Sequence, residues 1–464
     1  MNATGLSLAE LARGLRSRRF SAVEIVDRCR DAHRRSEPLL NAWKTWNGDA
    51  ARLLAQSVDK LFDSGMDFGP LMGLPVSVKD LYGVPGMPVF AGTDQALPAA
   101  WEAAGPVAGA VLRQFGIVMG KTHTVEFAFG GLGVNAHWGT PFNPWSADGH
   151  RTPGGSSSGA GVSLAQGSAF VALGTDTAGS VRVPASMTGQ VGLKTTHGRW
   201  PLEGVVPLSP SLDTAGLLTR SVEDMAFAFA AVDALLGGRR PACAMPSLNG
   251  LRLGVAENFF WDGLDPGIGE SVSAAIELLA GAGARIVPVR VPHCDDVYEI
   301  FRQGGLAASE LAAFMNMEFP ARIARLDPVV RARVAAAEQV SSVEYLRRRQ
   351  VLQACAQRAT AVFDDVDALL APTVAITPPL LDGIADGAAY ARANMMALRN
   401  TVIGNLFGWC ALTLPVGLDA RRMPVGLQLM GAPMTEARLI GIGLAAEVRI
   451  GRGPEILGHA PALA

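Results

Sequence analysis

The sequence predicts an α/β protein, in which helices and strands alternate along the chain. Ser7 with Glu10 and Ser21 with Glu24 fit the Ser-x-x-Glu pattern that begins helices. In "GLPVSVKD" (residues 73–80) two valines alternate with other residues between a glycine and a charged end, which is typical of a strand. The next apolar segment, "GAVLRQFGIVMGKT" (residues 109–122), predicts a helix and a short strand. Such alternation favours a sheet covered by helices.

The later part of the chain continues this pattern. "SSGAGVSLAQGS" predicts a short helix and "AFVALG" a buried strand, and "SVSAAIELLAGAG" predicts another helix. Three more segments are strand-like: "GLRLGVAE", "ARIVPVRVP" and "DALLAPTVAI". We expect one domain over residues 1–464, with a helical segment at 1–60, a core at 61–237 and a C-terminal subregion at 238–464. The Gly- and Pro-containing residues 238–250 are the predicted joint.

Composition excludes several classes of protein. The 464 residues are 49% hydrophobic with a formal net charge of -2, whereas nucleic-acid-binding proteins usually carry a basic stripe. The five cysteines are scattered without metal-ligand or disulfide spacing. No apolar run reaches the ~18 residues of a membrane span, and the N-terminus does not resemble a signal peptide. We therefore expect a cytoplasmic protein that binds neither nucleic acid nor membrane.

The stretch "TPGGSSSGAG" (residues 152–161) places three serines in a glycine-rich loop. A flexible linker is excluded because the stretch joins nothing separable. A phosphate-binding loop would need a lysine after Gly159, and none follows. A nucleophile elbow centred on Ser157 matches Gly-x-Ser-x-Gly, but no strand precedes it. That alternative would also need a later histidine, which could be His197, His293 or His459.

A second catalytic hypothesis uses a serine further along the chain. Ser180 lies in a turn after the predicted strand "AFVALG". The helix and strand between Ser156 and Ser180 let the chain leave and return to the same edge of the sheet. Two serines still need a base, and a lysine whose pKa is lowered by burial can serve. Lys79, at the end of an apolar strand, is the candidate.

The sequence resembles the amidase signature hydrolases. The resemblance rests on "GLPVSVKD", "TPGGSSSGAG", "GTDTAGSVRVPAS", "GQVGLKTTHGR" and "MPVGLQLMG", in this order. It implies a large mixed, mostly parallel twisted β-sheet with α-helices on both faces. It also implies a Ser–cisSer–Lys triad in which Ser180 is the nucleophile, Ser156 follows a cis peptide bond and relays the proton, and Lys79 is the base.

The same resemblance assigns the residues around the nucleophile. It places the oxyanion-hole N–H groups on Thr177, Ala178, Gly179 and Ser180. Many members have glycine where this chain has Ala178, but alanine keeps the N–H group. Asp176 and Arg182 are expected to brace the loop.

Ser157, the second of the three loop serines, is expected to support that loop by hydrogen bonds. No metal and no cofactor are implied. The resemblance implies hydrolysis of amide C–N bonds in a small molecule, through an acyl-enzyme.

The substrate class follows less directly from the sequence. Aromatic residues at 127, 129, 138, 142 and 145 are candidate walls of an apolar pocket, which favours aryl or apolar amides. Carbamates (urethanes) and esters share the reactive carbonyl, so urethanase and esterase activity are also expected. We expect a monomer or a homodimer. The alternative is a partner-dependent amidotransferase subunit, or a hydrolase of the carboxybiuret or allophanate type.

Overall fold

A computed structural model of the protein describes residues 5–237 and 242–463. The strands in these ranges are β1 Trp43–Trp46, β2 Pro75–Lys79, β3 Ile117–Thr122, β4 Val171–Asp176, β5 Val191–Lys194, β6 Thr214–Thr219, β7 Arg252–Ala256, β8 Arg285–Val289, β9 Ala368–Pro372, β10 Cys410–Leu418 and β11 Pro424–Gly431. The α-helices are α1 Leu8–Arg16, α2 Ala22–Leu40, α3 Gly48–Asp63, α4 Pro106–Leu112, α5 Ser158–Gln166, α6 Arg182–Met187, α7 Val222–Leu236, α8 Ile268–Gly281, α9 Cys294–Arg302, α10 Ala307–Glu318, α11 Pro328–Ala337, α12 Ser342–Thr360, α13 Gly387–Leu406, α14 Glu436–Ile450 and α15 Gly453–Leu457.

All of these strands belong to one mixed sheet, in the order β1-β3-β2-β4-β6-β5-β10-β11-β9-β7-β8. The predicted α/β class, with helices covering a large mixed sheet, is confirmed. The expectation that the sheet is mostly parallel is wrong for the described strands. Only β3–β2, β2–β4, β9–β7 and β7–β8 are parallel neighbours, and the other six pairs are antiparallel. One reason is that the short turn between β10 and β11 allows only an antiparallel pair.

The predicted local elements are present. Both N-terminal capping boxes form. The Ser7 and Ser21 hydroxyls accept hydrogen bonds from the backbone N–H groups of Glu10 and Glu24. The side chain of each glutamate accepts a hydrogen bond from the backbone N–H of its serine in return. The N-terminal segment also contains β1, which the helical pattern did not predict. Strands from all three predicted segments share the one sheet, and the division at the joint stays a prediction. Residues 238–241 of that joint lie outside the described residues.

The parallel strands β2, β3 and β4 form the part of the sheet that positions the candidate site. β2 lies between β3 and β4, and all five of its residues are buried. The carboxyl ends of adjacent parallel strands meet at one edge of a sheet, so Lys79 at the end of β2 and Asp176 at the end of β4 lie at the same edge. Within residues 5–237 and 242–463, no helix is long and apolar enough to span a membrane.

The packing of the central antiparallel strands predicts how a core substitution changes the free energy of unfolding. Leu429 of β11 is fully buried in the main apolar core. We expect Leu429→Ala to lower the free energy of unfolding by about 2–5 kcal/mol, because it removes apolar contacts and leaves a cavity. Leu53→Ala is the matched control, since that side chain is 65% exposed. Urea denaturation followed by circular dichroism measures both variants. Equal midpoints for the two would contradict the burial of Leu429 in the core.

Candidate active site

Lys79 ends β2 with its side chain fully buried. Its Nζ donates hydrogen bonds to Ser156 Oγ and to Thr175 Oγ1, both at 2.8 Å. Burial lowers the pKa of Lys79 to about 7, although the carboxylates of Asp213 and Asp176 act in the opposite direction. Near neutral pH a large share of the amine is therefore uncharged and can accept a proton from a hydroxyl group.

Ser156 is held by its backbone as well as by Lys79. The peptide bond between Gly155 and Ser156 is cis, in agreement with what the resemblance implies. The Ser156 carbonyl accepts hydrogen bonds from the N–H groups of Val125 at 3.1 Å and Ser158 at 2.8 Å. A Cβ atom on Gly155 would lie 2.6 Å from the nitrogen of Gly133, so only glycine fits there. The serine hydroxyl is thereby fixed beside the lysine amine.

Ser180 lies four residues after β4, at the start of the turn into α6, and is 4% exposed. Its carbonyl accepts a hydrogen bond from the N–H of Ser157 at 3.2 Å, which joins the two serine-bearing loops. In the described part of the chain the Ser180 hydroxyl has no hydrogen-bond partner. The structure thus joins Lys79 to Ser156 directly, and joins Ser180 to them through the backbone of Ser157. Catalytic hydrogen bonds often form fully only with substrate bound.

The turn before Ser180 presents backbone N–H groups. Those of Thr177, Ala178 and Ser180 have no hydrogen-bond partner among the described residues. The N–H of Gly179, also predicted as an oxyanion donor, instead donates to Asp176 Oδ1 at 2.8 Å, because the buried carboxylate needs donors. Three of the four predicted N–H groups are therefore free among the described residues, and the role of the four as oxyanion donors stays a prediction.

The shape of this turn depends on Gly179 and on a contact with α13. Gly179 has a φ of +134°, and a Cβ there would lie 2.1 Å from Thr401 Oγ1. Thr401 also donates a hydrogen bond from this hydroxyl to the Ala178 carbonyl at 2.7 Å. The peptide groups of the turn are thereby oriented by a residue far away in the sequence.

Asp176 and Arg182 form a fully buried ion pair with contacts of 3.0 and 3.1 Å. Asp176 Oδ2 also accepts the N–H of Val181, and Arg182 donates to Gln428 Oε1 and Asn405 Oδ1, each at 2.6 Å. Burial alone would raise the pKa of Asp176, but the Arg182 guanidinium outweighs it and the pKa falls to about 2. Asp176 contacts the loop that carries Ser180, and Arg182 ties it to Gln428 and Asn405. These contacts are consistent with the bracing role expected of the pair.

Ser157 is fully buried, and its hydroxyl donates to the Thr175 carbonyl at 3.3 Å. The nucleophile elbow would require a histidine beside it. His197 instead contacts the Pro210 carbonyl, His293 contacts Asp296, and His459 is exposed. Nothing in the described residues supports the elbow alternative.

Two residues that the sequence did not single out contact this centre. The Thr175 hydroxyl accepts a hydrogen bond from Lys79 Nζ. Its place in the motif "GTDTAGS", close to the predicted nucleophile, is the sequence feature that could have identified it. Asp213 accepts a hydrogen bond from Thr177 Oγ1 at 2.5 Å and from the N–H groups of Leu208 and Ser209 at 2.9 Å. No motif in the sequence connects Asp213 with Thr177.

A cavity of about 470 Å³ opens beside Ser180, Thr177 and Ala178. Its walls are mostly apolar, but three arginines also line it: Arg302, Arg333 and Arg348. Of the five aromatic residues proposed for the pocket, only the one at position 129 lines this cavity. Those at 127 and 145 are buried in separate apolar clusters, and those at 138 and 142 pack against His123 and His150.

The chain is similar in sequence and in fold to known amidases and to a deaminase. The model of the Amidase family matches residues 24–440. The chain is 66% identical, over 99% of its own length and 99% of the relative, to a 2-amino-5-chloromuconic acid deaminase of Comamonas testosteroni. It is 35% identical to an amidase of Pseudomonas putida, over 98% of this chain and 99% of that one. A crystal structure of an amidase superposes with a TM-score of 0.84 at 29% identity, covering 96% of this chain and 100% of the other.

The family match spans most of the chain, and the relatives match it from end to end. Lys79, Ser156 and Ser180, from three of the motifs that carried the resemblance, lie in one buried part of the structure, and Gln428 from a fourth contacts Arg182. The protein is therefore an enzyme that hydrolyses C–N bonds, and it belongs to the amidase signature family.

Proposed function

We propose that the protein removes ammonia hydrolytically from a small unsaturated amino acid that carries carboxylates, the chemical class of 2-amino-5-chloromuconic acid. The observation that carries this proposal is the 66% identity with the deaminase of Comamonas testosteroni over 99% of both chains. The overall reaction adds one water molecule to the substrate. The nitrogen leaves as ammonia, and the carbon that held it keeps the oxygen of water as a carbonyl group.

In the proposed mechanism Ser180 is the nucleophile, Ser156 the proton relay and Lys79 the base. The neutral amine of Lys79 receives a proton from Ser156, which takes one from the Ser180 hydroxyl as its oxygen attacks. With a carboxamide, ammonia leaves with that proton and water hydrolyses the acyl-enzyme. With the imine tautomer of an enamine substrate, the Ser180 hydroxyl adds across the C=N bond, so that one carbon carries both the amino group and the serine oxygen. Ammonia then leaves this carbon and water adds in its place. The serine oxygen leaves last with a proton, and the carbon becomes a carbonyl group. The free N–H groups near Ser180 stabilise negative charge that develops on an acyl oxygen.

The charges around the cavity support a carboxylate-bearing substrate. Arg302 pairs with Glu299, and Arg348 pairs with Glu344, each at 2.8 Å. Arg333 of α11 donates one hydrogen bond to the Phe129 carbonyl at 2.9 Å and has no carboxylate partner within the described ranges. A guanidinium without a counter-ion beside an apolar cavity is a suitable partner for a substrate carboxylate.

A second candidate function is hydrolysis of an uncharged aryl or apolar amide, carbamate or ester. The mostly apolar wall of the cavity, which includes Leu208, Phe301 and Leu398, favours it. A partner-dependent amidotransferase or a carboxybiuret- or allophanate-type hydrolase subunit stays an alternative. Assays of the purified chain alone separate these proposals, because a partner-dependent subunit would release no ammonia by itself.

The first prediction concerns the nucleophile. We expect the purified protein to release ammonia from 2-aminomuconate and its 5-chloro derivative faster than from benzamide. Ser180→Ala is expected to lower kcat by about 10³-fold or more, because the attacking oxygen is lost. Ser157→Ala is the matched control and is expected to lose less than about tenfold, since it breaks one long hydrogen bond. Preference for benzamide would favour the second candidate, and loss of activity only in Ser157→Ala would contradict the assignment.

The second prediction concerns pH. Because burial sets the pKa of Lys79 at about 7, kcat/KM should fall as the pH drops below about 7 and the amine takes up a proton. The proportion of active enzyme then decreases about tenfold per pH unit. Steady-state rates between pH 5 and 9 measure this fall, the acidic limb of the pH–rate profile. A rate that stays constant from pH 5 to 8 would exclude a neutral lysine as the base.

The third prediction concerns Arg333. We expect Arg333→Gln to raise KM for the dicarboxylate about 10- to 100-fold with a small change in kcat, because a charge-assisted hydrogen bond to the substrate is lost. Arg302→Gln is the control, since that guanidinium already pairs with Glu299. Hydrolysis of an uncharged amide should be unaffected by either change. Equal KM values for the dicarboxylate in the two variants would show that Arg333 does not bind it.

A further inference from the structure

Asp213 is a buried carboxylate that contacts the candidate active site through Thr177. It lies just before β6 and is 6% exposed. One oxygen accepts the Thr177 hydroxyl at 2.5 Å, and the other accepts the N–H groups of Leu208 and Ser209 at 2.9 Å. It has no cationic partner within salt-bridge distance in the described chain. Its charge is therefore not neutralised locally, unlike that of Asp176.

A second cavity is lined by Asp213 together with a residue that contacts the amine of Lys79. This cavity, of about 370 Å³, is lined by both Asp213 and Thr175, whose hydroxyl contacts Lys79 Nζ at 2.8 Å. Ala128 and Leu208 line this cavity and also the one beside Ser180. Of the carboxylates that act on the ammonium of Lys79, Asp213 acts most strongly. The charge of the carboxylate thus acts on Lys79, and one of its oxygens contacts Thr177 in the turn before Ser180.

We propose that Asp213 is a positioning residue of the reaction, which holds Thr177 and strengthens Lys79 as a base. The inference rests on the proposed roles of Lys79 and Ser180 but not on the identity of the substrate. The hydrogen bond to Thr177 fixes the side chain of the first residue of the turn that carries the free N–H groups. The negative charge favours the protonated amine, so it partly offsets the burial of Lys79.

Other charged and titratable groups around Asp213 are consistent with this role. Glu310 of α10 accepts the Ser209 hydroxyl at 2.8 Å, and its negative charge acts on Asp213. Asp176 on β4 is neutralised by Arg182, and Tyr82 donates its hydroxyl to the Gly174 carbonyl.

Burial raises the pKa of Asp213 to about 6, even though its three hydrogen bonds act in the opposite direction. Asp213 is therefore ionised over the range in which Lys79, with a pKa of about 7, loses its proton. Its negative charge is present when the base forms.

The experiment measures the rate at which a fluorophosphonate probe labels Ser180 between pH 5 and 9, which requires no knowledge of the substrate. In Asp213→Asn the acidic limb should move to lower pH by about one unit, because a nearby negative charge is lost and the amine is easier to deprotonate. The rate at the plateau should fall about 10- to 100-fold, because the base is weaker and the turn is no longer held. Peptide mapping confirms the labelled residue.

Thr177→Val separates the two roles. It removes the hydroxyl but keeps the carboxylate, so the plateau should fall while the acidic limb moves less than in Asp213→Asn. A limb that does not move in Asp213→Asn would overturn the electrostatic role, and an unchanged plateau in Thr177→Val would overturn the positioning role. If the wild-type protein is not labelled at Ser180, the proposed nucleophile fails instead. Should Asp213→Asn fail to fold by circular dichroism, Thr177→Val still tests the hydrogen bond.

Discussion

The loop that carries Ser180 depends on one buried ion pair, between Asp176 and Arg182. Neither side chain is exposed, and the remaining donors of the guanidinium bind Gln428 on β11 and Asn405 on α13. Removing one member of such a pair typically costs about 3–5 kcal/mol, because the other charge stays buried alone. The loop after β4 is therefore tied to the antiparallel centre of the sheet and to a helix more than two hundred residues later. The turn that presents the free N–H groups lies between these two residues and shares this anchoring.

Local elements of the fold could be predicted from the sequence, but strand direction could not. β2, β3 and β4 have flanking turn residues and short apolar patterns, and the capping boxes mark the first helices. β6 and the first six residues of β10 are buried throughout, so they lack the alternation that distinguishes the two faces of a strand. Whether two neighbouring strands are parallel depends on the connection between them and on distant pairings. Apart from the short turn between β10 and β11, the central antiparallel pairs therefore had no signal in a single sequence.

The candidate site shows the same limit. Lys79, Ser156 and Ser180 lie in short motifs, so the sequence alone could single them out as candidates, and the lysine and the first serine are in direct contact in the structure. Asp213 and Thr401 reach the turn from other elements, and only the folded topology brings them there. Aromatic residues in a loop-rich segment face either the core or a cavity, and composition does not distinguish these cases. For that reason most of the proposed pocket aromatics do not line the cavity.

Two buried carboxylates near Lys79 have opposite pKa shifts, although burial acts on both in the same direction. Arg182 outweighs burial at Asp176, whose pKa is about 2, whereas Asp213 receives only hydrogen bonds from uncharged groups and has a pKa of about 6. The charge of Asp176 is therefore largely balanced by its partner, and that of Asp213 remains to act on Lys79. Without such a charge, full burial would lower the pKa of the lysine further, and its amine would be a weaker base. A base is most effective when its pKa lies near the working pH. In the mechanism that we propose, this condition is met because the burial of Lys79 is balanced against one carboxylate, Asp213, which has no cationic partner in the described chain.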